Sequence, residues 1–293
     1  MVKCLSVRVF IDGEVFDESC ARISVFDRGF LYGDSVYEVM RTVAGWPVEL
    51  EAHLARLDQS AAAIHLSPPS GEYLECALRD TLSEAGNEES YVRVIVTRGA
   101  GDIGLDIALA RDPVTVVIVR ELRLPEPSLY QLGIAIRFVG VQRWSKRALD
   151  PRVKSGNYLN NILALAEARA VGAYEAVMCD AEGRITEGSS SNVFFVFGDE
   201  IKTPSLDMAL LPGITRQRVI ELARSAGLAV SETRLRPEQV AGADEAFITS
   251  SIRGVLPVAT IDGNRVPSPP PLGPVARRVM GLYAEFLKRQ AQD

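Results

Sequence analysis

Segments with helical periodicity and short strand-like runs alternate along both halves of this 293-residue chain. Apolar residues recur at helical spacing in residues 51–64, 73–85, 159–171, 215–226 and 275–291. Apolar runs typical of strands cover residues 91–97, 114–119, 133–139, 175–179, 192–197, 200–203 and 245–249. An Asp12-Gly13 turn between two further runs predicts a hairpin over residues 7–16. We therefore predict an α+β (mixed α/β) fold.

The chain length fits one large domain or two smaller domains around a shared crevice. A proline-containing segment, residues 122–128, is typical of a linker. We predict an N-terminal α/β domain over residues 1–121, a linker over residues 122–132 and a C-terminal domain over residues 133–293. A proline-rich loop is predicted over residues 267–274, before the last helix.

The composition is ordinary for a globular protein, with 47% hydrophobic and 24% charged residues. The net charge of −6 and the lack of a basic run argue against a nucleic-acid-binding surface. No apolar run is long enough to cross a bilayer, and polar residues interrupt residues 1–8 too often for a signal peptide. We predict a cytoplasmic protein that binds neither nucleic acid nor membrane.

Cysteine and histidine usage limits the available chemistry. The four cysteines are widely separated along the chain, at Cys4, Cys20, Cys76 and Cys179. This spacing predicts buried, reduced thiols and no disulfide framework. Only two histidines occur, His53 and His65, which disfavours metal sites and Ser-His or Cys-His nucleophiles. We predict no metal site, so an enzyme with this composition would depend on Lys, Glu, Tyr and a cofactor.

One lysine, Lys154, stands where an apolar strand is predicted to give way to a Gly156-Asn157 turn and then a helix. A lysine at such a point is a candidate Schiff-base nucleophile. The common alternative, for a lysine considered in isolation, is a solvated side chain at a strand end. Three further segments favour the catalytic interpretation, because each has chemistry that suits one part of a single cofactor.

The second segment centres on Glu187, which precedes the small polar residues 188–191 and then a strongly apolar strand. One interpretation is a polar loop that enters a buried strand. The other is an inward-facing carboxylate opposite a cation, and a pyridinium nitrogen is such a cation.

The third and fourth segments are candidate phosphate sites. A helix begins near Gly213–Thr215, where unsatisfied N–H groups and the helix dipole favour an anion. The alternative is that Thr215 is an ordinary N-cap. Residues 247–254 place the hydroxyls of Ser250 and Ser251 at a strand end, where they suit the same phosphate or form a plain turn.

In this order, Lys154, Glu187, Gly213–Thr215 and Ser250-Ser251 resemble the fold-type IV pyridoxal-phosphate enzymes. That group includes branched-chain aminotransferases, D-amino-acid aminotransferases, (R)-selective amine transaminases and aminodeoxychorismate lyases. The resemblance covers nearly the whole chain, and its N-terminal part lies in residues 27–38 and 53–57. It implies a two-domain fold with pyridoxal 5′-phosphate at the domain crevice. It also implies a homodimer, or a higher assembly, in which the partner completes the site.

The resemblance implies roles by position. Lys154 would hold the cofactor and move a proton, Glu187 would pair with the pyridine nitrogen, and Tyr158 would contact the ring phenolate. The other residues implied in cofactor binding, mainly at the phosphate, are Arg56, Gly213, Ile214, Thr215, Ser250 and Ser251. Those implied in substrate binding are Tyr32, Tyr37, Arg41, Tyr91, Arg93, Ser251 and Ile252. The alternatives are a helix-surface Arg56 and a core-packed Tyr158.

The substrate class follows from two comparisons within this group. The tyrosines and arginines above resemble the substrate pocket of branched-chain aminotransferases, whereas residues 36–39 and 187–194 are more similar to D-amino-acid aminotransferases. The D-specific enzymes bind the substrate carboxylate with an Arg-x-His in the loop after Thr-Arg-Gly. In this chain the loop over residues 97–105 has no histidine. An L-branched-chain or other aliphatic amino acid is therefore the predicted amino donor.

The predicted acceptor is a 2-keto acid such as 2-oxoglutarate or pyruvate. Arg93 is the predicted contact for a second carboxylate, because it shares one strand face with Tyr91. The alternative is that Arg93 pairs with a structural carboxylate. A D-amino-acid or (R)-amine transaminase and an aminodeoxychorismate lyase are alternative functions on the same fold. A non-catalytic binding protein is a further alternative, against which Lys154 and Glu187 both argue.

Overall fold

A computed structural model describes residues 7–267 and 272–291. The chain forms two compact units. The first contains the residues up to Arg123, the short segment Val153–Asn157 and the residues from Gln290, and the second contains Leu124–Arg152 and Tyr158–Arg289. The predicted domain boundaries stay a prediction. A segment that carries Lys154 therefore belongs to the first unit, although most of the residues around it in sequence belong to the second.

The first unit is built on an antiparallel sheet. Its strands are β1 Arg8–Ile11, β2 Glu14–Asp17, β3 Ser35–Val43, β4 Trp46–Pro47, β5 Ser90–Thr97 and β6 Val114–Glu121. Its helices are α1 Arg28–Tyr32, α2 Leu50–Ala63 and α3 Gly71–Ala85, with a 3-10 turn at Ile107–Leu109. The six strands lie in the order β2-β1-β6-β5-β3-β4. The predicted hairpin is confirmed as β1–β2, with Asp12 and Gly13 at positive φ in the turn.

The two faces of this sheet differ because side chains alternate along each strand. One face is apolar and packs with helices α2 and α3 in a core that includes Val36, Met40, Val94, Leu57 and Leu78. The opposite face carries the predicted substrate residues Tyr37, Arg41, Tyr91 and Arg93. The β3–β5 register places Arg41 opposite Tyr91 and Val39 opposite Arg93. The prediction that Tyr91 and Arg93 share one face is confirmed.

The second unit is built on a mixed sheet. Its strands are β7 Ile134–Phe138, β8 Glu175–Cys179, β9 Ile185–Gly188, β10 Asn192–Phe197, β11 Glu200–Pro204, β12 Ala229–Thr233, β13 Glu245–Ser250, β14 Gly254–Ile261 and β15 Asn264–Arg265. Its helices are α4 Pro127–Leu132, α5 Leu159–Ala170, α6 Ile214–Ser225, α7 Pro237–Val240 and α8 Pro274–Gln290. The strand order is β12-β11-β10-β13-β14-β7-β8-β9, and β15 pairs with β14. Phe194 of β10 stacks on Phe247 of β13, so the centre of the sheet is apolar.

The predicted mixed α/β fold is confirmed, but one local expectation is wrong. No regular strand leads into Lys154, because the structure has only an isolated bridge between Ser155 and Val36 in this segment. Helix α4 begins at Pro127, inside the predicted linker, and the linker itself stays a prediction. Proline at the first helical position is compatible with a helix start, so the pattern does not exclude one.

The thiols of Cys20, Cys76 and Cys179 are free, as predicted. Their predicted burial is wrong for Cys20 and Cys76, which are exposed. Cys4 and residues 268–271 of the predicted proline-rich loop lie outside the described residues. Among the described helices, none has the length and apolar character needed to span a bilayer. A cytoplasmic location stays a prediction.

Candidate active site

Lys154 is held beside strand β3 by its backbone. Its N–H donates to Ser60 Oγ at 3.1 Å, and its carbonyl accepts from the Tyr37 N–H at 3.0 Å. Gly156 N–H donates to the Ser35 carbonyl at 2.8 Å. A Cβ on Gly156 would lie 2.2 Å from Ser35 Oγ, so a larger residue would require the Ser35 hydroxyl to move. The segment is thus anchored without belonging to a regular strand.

The Lys154 side chain lies over an aromatic ring. Its Nζ is 4.5 Å from the centre of the buried Tyr37 ring, and the Arg93 guanidinium is 4.2 Å from the same centre. The ring faces attract both cations electrostatically. The structure therefore brings three of the predicted site residues together: the candidate nucleophile and two candidate substrate contacts.

Arginine side chains on this face have unused hydrogen-bonding capacity. The Nε atoms of Arg41 and Arg93 are buried and have no hydrogen-bond partner among the described residues. Tyr91, opposite Arg41, lies beneath the Arg120 guanidinium, which is 4.7 Å from its ring centre. Buried donors without partners are uncommon, and a bound anion would satisfy them.

Tyr32 lies apart from this group, at the end of helix α1. Its side chain is partly exposed, and its hydroxyl accepts from the Gly104 N–H at 3.3 Å. Arg28 donates to the Gly104 carbonyl at 2.7 Å. These bonds hold the loop after β5 against helix α1.

Arg56 is buried and paired, so the alternative of a helix-surface arginine is wrong. Its Nε and Nη2 donate to the two oxygens of Glu38, each at 2.7 Å. His53 Nδ1 lies 2.7 Å from Glu38 Oε2. Burial alone would raise the pKa of Glu38, but Arg56 and His53 outweigh it and lower that pKa to about 2. Burial lowers the pKa of His53 despite the opposing influence of Glu38, so the imidazole is neutral at pH 7.

In the second unit, Glu187 lies in strand β9 and is buried, as the catalytic interpretation requires. Its Oε2 accepts from the Leu211 N–H at 2.9 Å, which connects it to the predicted phosphate segment. Arg143 Nε is 2.8 Å from Glu187 Oε1; the two atoms form an ion pair whose alignment is not that of a hydrogen bond. Arg143 in turn donates to Asn161 Oδ1 at 3.1 Å.

Helix α6 begins at Ile214 with Gly213 as its N-cap, and no side chain caps it. The alternative of Thr215 as an N-cap is therefore wrong, since Thr215 lies inside the first turn and is buried. A Cβ on Gly213 would lie 2.0 Å from Asn192 Oδ1, so a larger residue would require the Asn192 amide to move. An uncapped helix N-terminus of this kind favours an anion.

Ser250 and Ser251 lie at the end of strand β13, next to a buried hydrogen-bond network. Glu175 accepts from the hydroxyls of the three serines that follow Gly188, namely Ser189, Ser190 and Ser191. Arg253 donates to Glu175 Oε2 at 3.1 Å and to Ser250 Oγ at 3.0 Å. The network ties the chain after Glu187 to the turn that contains Ser251 and Ile252. Tyr158 is the half-buried N-cap residue of α5.

Three residues in these contacts, Glu38, Glu175 and Arg143, are absent from the site predicted from sequence. Glu38 and Glu175 carry a detectable signal, because Glu38 lies inside strand β3, Glu175 begins strand β8, and the residues on either side of each are apolar or aromatic. Arg143 has no such signal in the sequence, since it lies in an irregular segment that contains several other cationic residues.

Comparison with known proteins identifies the family. Residues 35–261 match the amino-transferase class IV family. This chain belongs to the class IV aminotransferases. It is 36% identical over 281 residues to a Methanocaldococcus jannaschii protein provisionally assigned as a branched-chain-amino-acid aminotransferase, with 96% of each chain covered. It is 31% identical to D-alanine aminotransferase of Bacillus licheniformis, over 93% of this chain and 94% of that protein. It is 30% identical to aminodeoxychorismate lyase of Bacillus subtilis, over 87% and 86%.

Solved structures support the same assignment. The branched-chain aminotransferase of Thermoproteus uzoniensis with norvaline superposes with a TM-score of 0.89 at 29% identity, over 96% of this chain and 95% of that chain. An aminotransferase from Brucella abortus bound to pyridoxal phosphate superposes with a TM-score of 0.86 at 28% identity, over 97% and 99%. The predicted fold-type IV architecture, aminotransferase activity and pyridoxal 5′-phosphate cofactor are confirmed.

The residues of this aminotransferase fit that cofactor. In pyridoxal phosphate, the aldehyde bonds to an amine, the protonated ring nitrogen pairs with a carboxylate, and the phosphate binds cations and N–H donors. Each unit carries groups of these kinds: the first has the amine of Lys154 and the buried guanidinium of Arg56, and the second has the carboxylate of Glu187 and the uncapped start of helix α6. Thr249 Oγ1 is also a buried hydroxyl without a hydrogen-bond partner among the described residues.

Proposed function

We propose that this aminotransferase exchanges amino groups between L-branched-chain or other aliphatic amino acids and 2-keto acids such as 2-oxoglutarate or pyruvate. One observation carries the proposal. Arg93 lies on the sheet face of Tyr37 with its guanidinium over that ring, and its buried Nε has no partner among the described residues. An arginine so placed suits a dicarboxylate, while the aromatic and aliphatic surface around it suits an apolar side chain.

The apolar part of this surface comes from β3 and β5. Tyr37, Val39 and Ile95 lie on the same face as Arg93, with Val39 opposite Arg93 and Tyr37 opposite Ile95. A leucine-like side chain gains free energy when it leaves water for such a surface. Lys154 Nζ lies over the Tyr37 ring, so the amine faces the surface that we propose for the substrate.

The other residues act on the cofactor in the proposed mechanism. Pyridoxal phosphate, when bound, supplies the carbonyl carbon that accepts the amino group and a ring that withdraws electrons from the substrate Cα. Lys154 would hold the cofactor through its amine and, as a free amine, would take the proton from the substrate Cα. Glu187 would keep the ring nitrogen protonated. Arg56 would bind the phosphate.

The remaining contacts come from the second unit. Ile214 and Thr215, at the start of helix α6, would bind the phosphate together with Ser250 and Ser251. Tyr158 would hydrogen-bond the ring oxygen. The turn at Ser251-Ile252 would bind the substrate.

The preference for L-substrates rests on the loop after β5. Residues 99–110 contain neither arginine nor histidine, so an Arg-x-His carboxylate trap is missing from this loop. Arg98, just before it, donates to both oxygens of Asp34 and to the carbonyls of Ile64 and His65. Arg98 is thus committed to structural contacts and does not replace the trap.

A half-reaction panel tests the proposed substrate class. The cofactor-loaded enzyme is mixed separately with L-leucine, D-alanine and (R)-1-phenylethylamine, and its absorbance reports conversion of the cofactor to the amine form. We expect conversion with L-leucine at a rate at least about tenfold above the other two. Faster conversion with D-alanine or with the amine would overturn the L-specific proposal. Pyruvate release from aminodeoxychorismate without a keto acid would identify a lyase instead.

We also propose that the chain acts as a homodimer. Helix α1 and the loop after β5 expose large apolar side chains, with 67% of Phe30, 73% of Ile103 and 83% of Leu105 accessible. The bonds from Arg28 and Tyr32 to Gly104 bring these two segments together, so the side chains form one surface. Exposed apolar surfaces of this kind mark protein contacts, and a second copy presents the same surface.

Light scattering tests the dimer. We expect a dimer for the unmodified chain and a monomer for the Ile103→Asp, Leu105→Asp double variant, because two buried charges oppose the contact. Leu132→Asp is the matched control, since Leu132 is 64% exposed on helix α4 and lies outside this surface. A fully active 31.9 kDa monomer would contradict the proposal.

A further inference from the structure

Glu38 is a fully buried carboxylate on the core face of strand β3. Its neighbours on that face, Val36 and Met40, pack into the apolar core together with Leu54 and Leu57 of helix α2. An unpaired charge at such a position is strongly destabilising, and an apolar side chain often packs there as well as a salt bridge does. Packing alone therefore does not account for the carboxylate.

Glu38 forms a compact cluster with two residues of helix α2, which we call the Glu38 cluster: Glu38, His53 and Arg56. The two hydrogen bonds from Arg56 Nε and Nη2, at 2.7 Å each, fix the plane of the guanidinium. His53 and Arg56 are three residues apart on one helix, so both face the same carboxylate. His53 Nδ1 approaches Oε2 at 2.7 Å, the oxygen that also accepts from Arg56 Nη2.

The protonation states of the cluster are determined by its geometry. Glu38 is ionised at neutral pH and therefore only accepts hydrogen bonds, so His53 must carry its proton on Nδ1 and donate it. Burial, Arg56 and the charge of Lys154 all lower the pKa of His53, and Glu38 raises it.

We propose that Glu38 and His53 are positioning residues that hold the Arg56 guanidinium in one orientation for the phosphate of the cofactor. This inference rests on the proposed function, which assigns Arg56 to that phosphate. A long arginine side chain that is not held loses rotamer freedom when it binds an anion. The Glu38 cluster holds Arg56 in one rotamer before the phosphate binds. The loss of side-chain entropy on binding is therefore smaller, and the affinity for the phosphate is higher.

The test compares two ligands that differ only in the phosphate. The full-length chain is stripped of cofactor, and the dissociation constants of pyridoxal 5′-phosphate and of pyridoxal are measured by absorbance titration. For Glu38→Gln we expect pyridoxal phosphate to bind about 10-fold to 100-fold more weakly, the range for a lost charge-assisted hydrogen bond. Pyridoxal affinity should stay within about threefold, or about 0.7 kcal/mol, of the unmodified chain.

Two controls separate positioning from general damage. Glu89→Gln alters a carboxylate that accepts from Ala44 N–H near the other end of β3, and it should leave both affinities unchanged. In the Arg56→Ala background, Glu38→Gln should add no further loss for pyridoxal phosphate, because the two residues act through one contact.

Two variants of His53 test the same inference if Glu38→Gln does not fold. His53→Leu removes the donor to Glu38, whereas His53→Asn keeps an N–H near the position of Nδ1. We expect His53→Leu to weaken pyridoxal phosphate selectively and His53→Asn to restore most of the affinity. Equal losses for both ligands in the folded variants, or no loss at all, would overturn the inference. If the unmodified chain bound neither ligand, the proposed function itself would fail.

Discussion

Arg93→Met tests whether this arginine recognises the second carboxylate of a dicarboxylate acceptor. Methionine keeps the apolar stem beside Tyr37 and removes the guanidinium that lies 4.2 Å from the ring centre. The contact between Arg93 and Tyr37 exists with either acceptor, so it cancels when two acceptors are compared. The difference that remains is the charge-assisted pair with the second carboxylate.

The expected loss follows from the hydrogen bonds of that pair. A hydrogen bond to a charged group contributes about 1.5–3 kcal/mol. The Nε of Arg93 is buried and has no hydrogen-bond partner among the described residues, so this donor is available to the acceptor. With about 3 kcal/mol for a bidentate pair, kcat/KM for 2-oxoglutarate should fall about 100-fold. An aliphatic keto acid such as 4-methyl-2-oxopentanoate should change by about threefold at most, which is about 0.7 kcal/mol.

The assay measures kcat/KM for each acceptor. L-leucine is the donor for 2-oxoglutarate, and L-glutamate is the donor for the aliphatic keto acid. Arg120→Met is the matched control, because Arg120 lies over Tyr91 on the neighbouring strand and is exposed. Arg120→Met should change kcat/KM by the same factor for both acceptors. Equal losses on the two acceptors for Arg93→Met would refute the reasoning, and Arg93 would then be a structural residue of this sheet face.

Three further predictions concern Lys154, Glu187 and Glu38. Lys154→Ala should still bind pyridoxal phosphate weakly but lose the absorbance of the covalent link and almost all turnover, and near-normal activity would contradict the assignment. Glu187→Gln should lower kcat far more than cofactor affinity, because it changes the ring nitrogen's partner and leaves the phosphate contacts intact; single-turnover rates and cofactor titration check this. The folded-state pKa of Glu38 lies below its ordinary value of 4.5, at about 2. Its contribution to stability is present above pH 4.5 and should be lost as pH falls toward 2, so urea unfolding from pH 7 to 3 should show a steeper acid loss than in Glu38→Gln.

Local sequence patterns were sufficient for most elements of both units. Helix α2 was expected over residues 51–64 and covers Leu50–Ala63, and strand β5 was expected over residues 91–97 and covers Ser90–Thr97. Both predictions succeed because apolar periodicity depends on neighbours within a few residues. Lys154 and Glu187 are predicted as site residues from sequence alone, since each stands in a short motif of unusual composition, and their roles stay predictions.

Contacts between distant residues were decided by the tertiary structure. The segment around Lys154 was predicted to follow a strand, yet it is anchored by Ser60 and Tyr37, 94 residues away in the case of Ser60. The Arg143 ion pair with Glu187 and the Glu175 network likewise join separate elements. Periodicity determines which face of an element is buried, but the partner of a buried charge depends on which elements the fold places beside it.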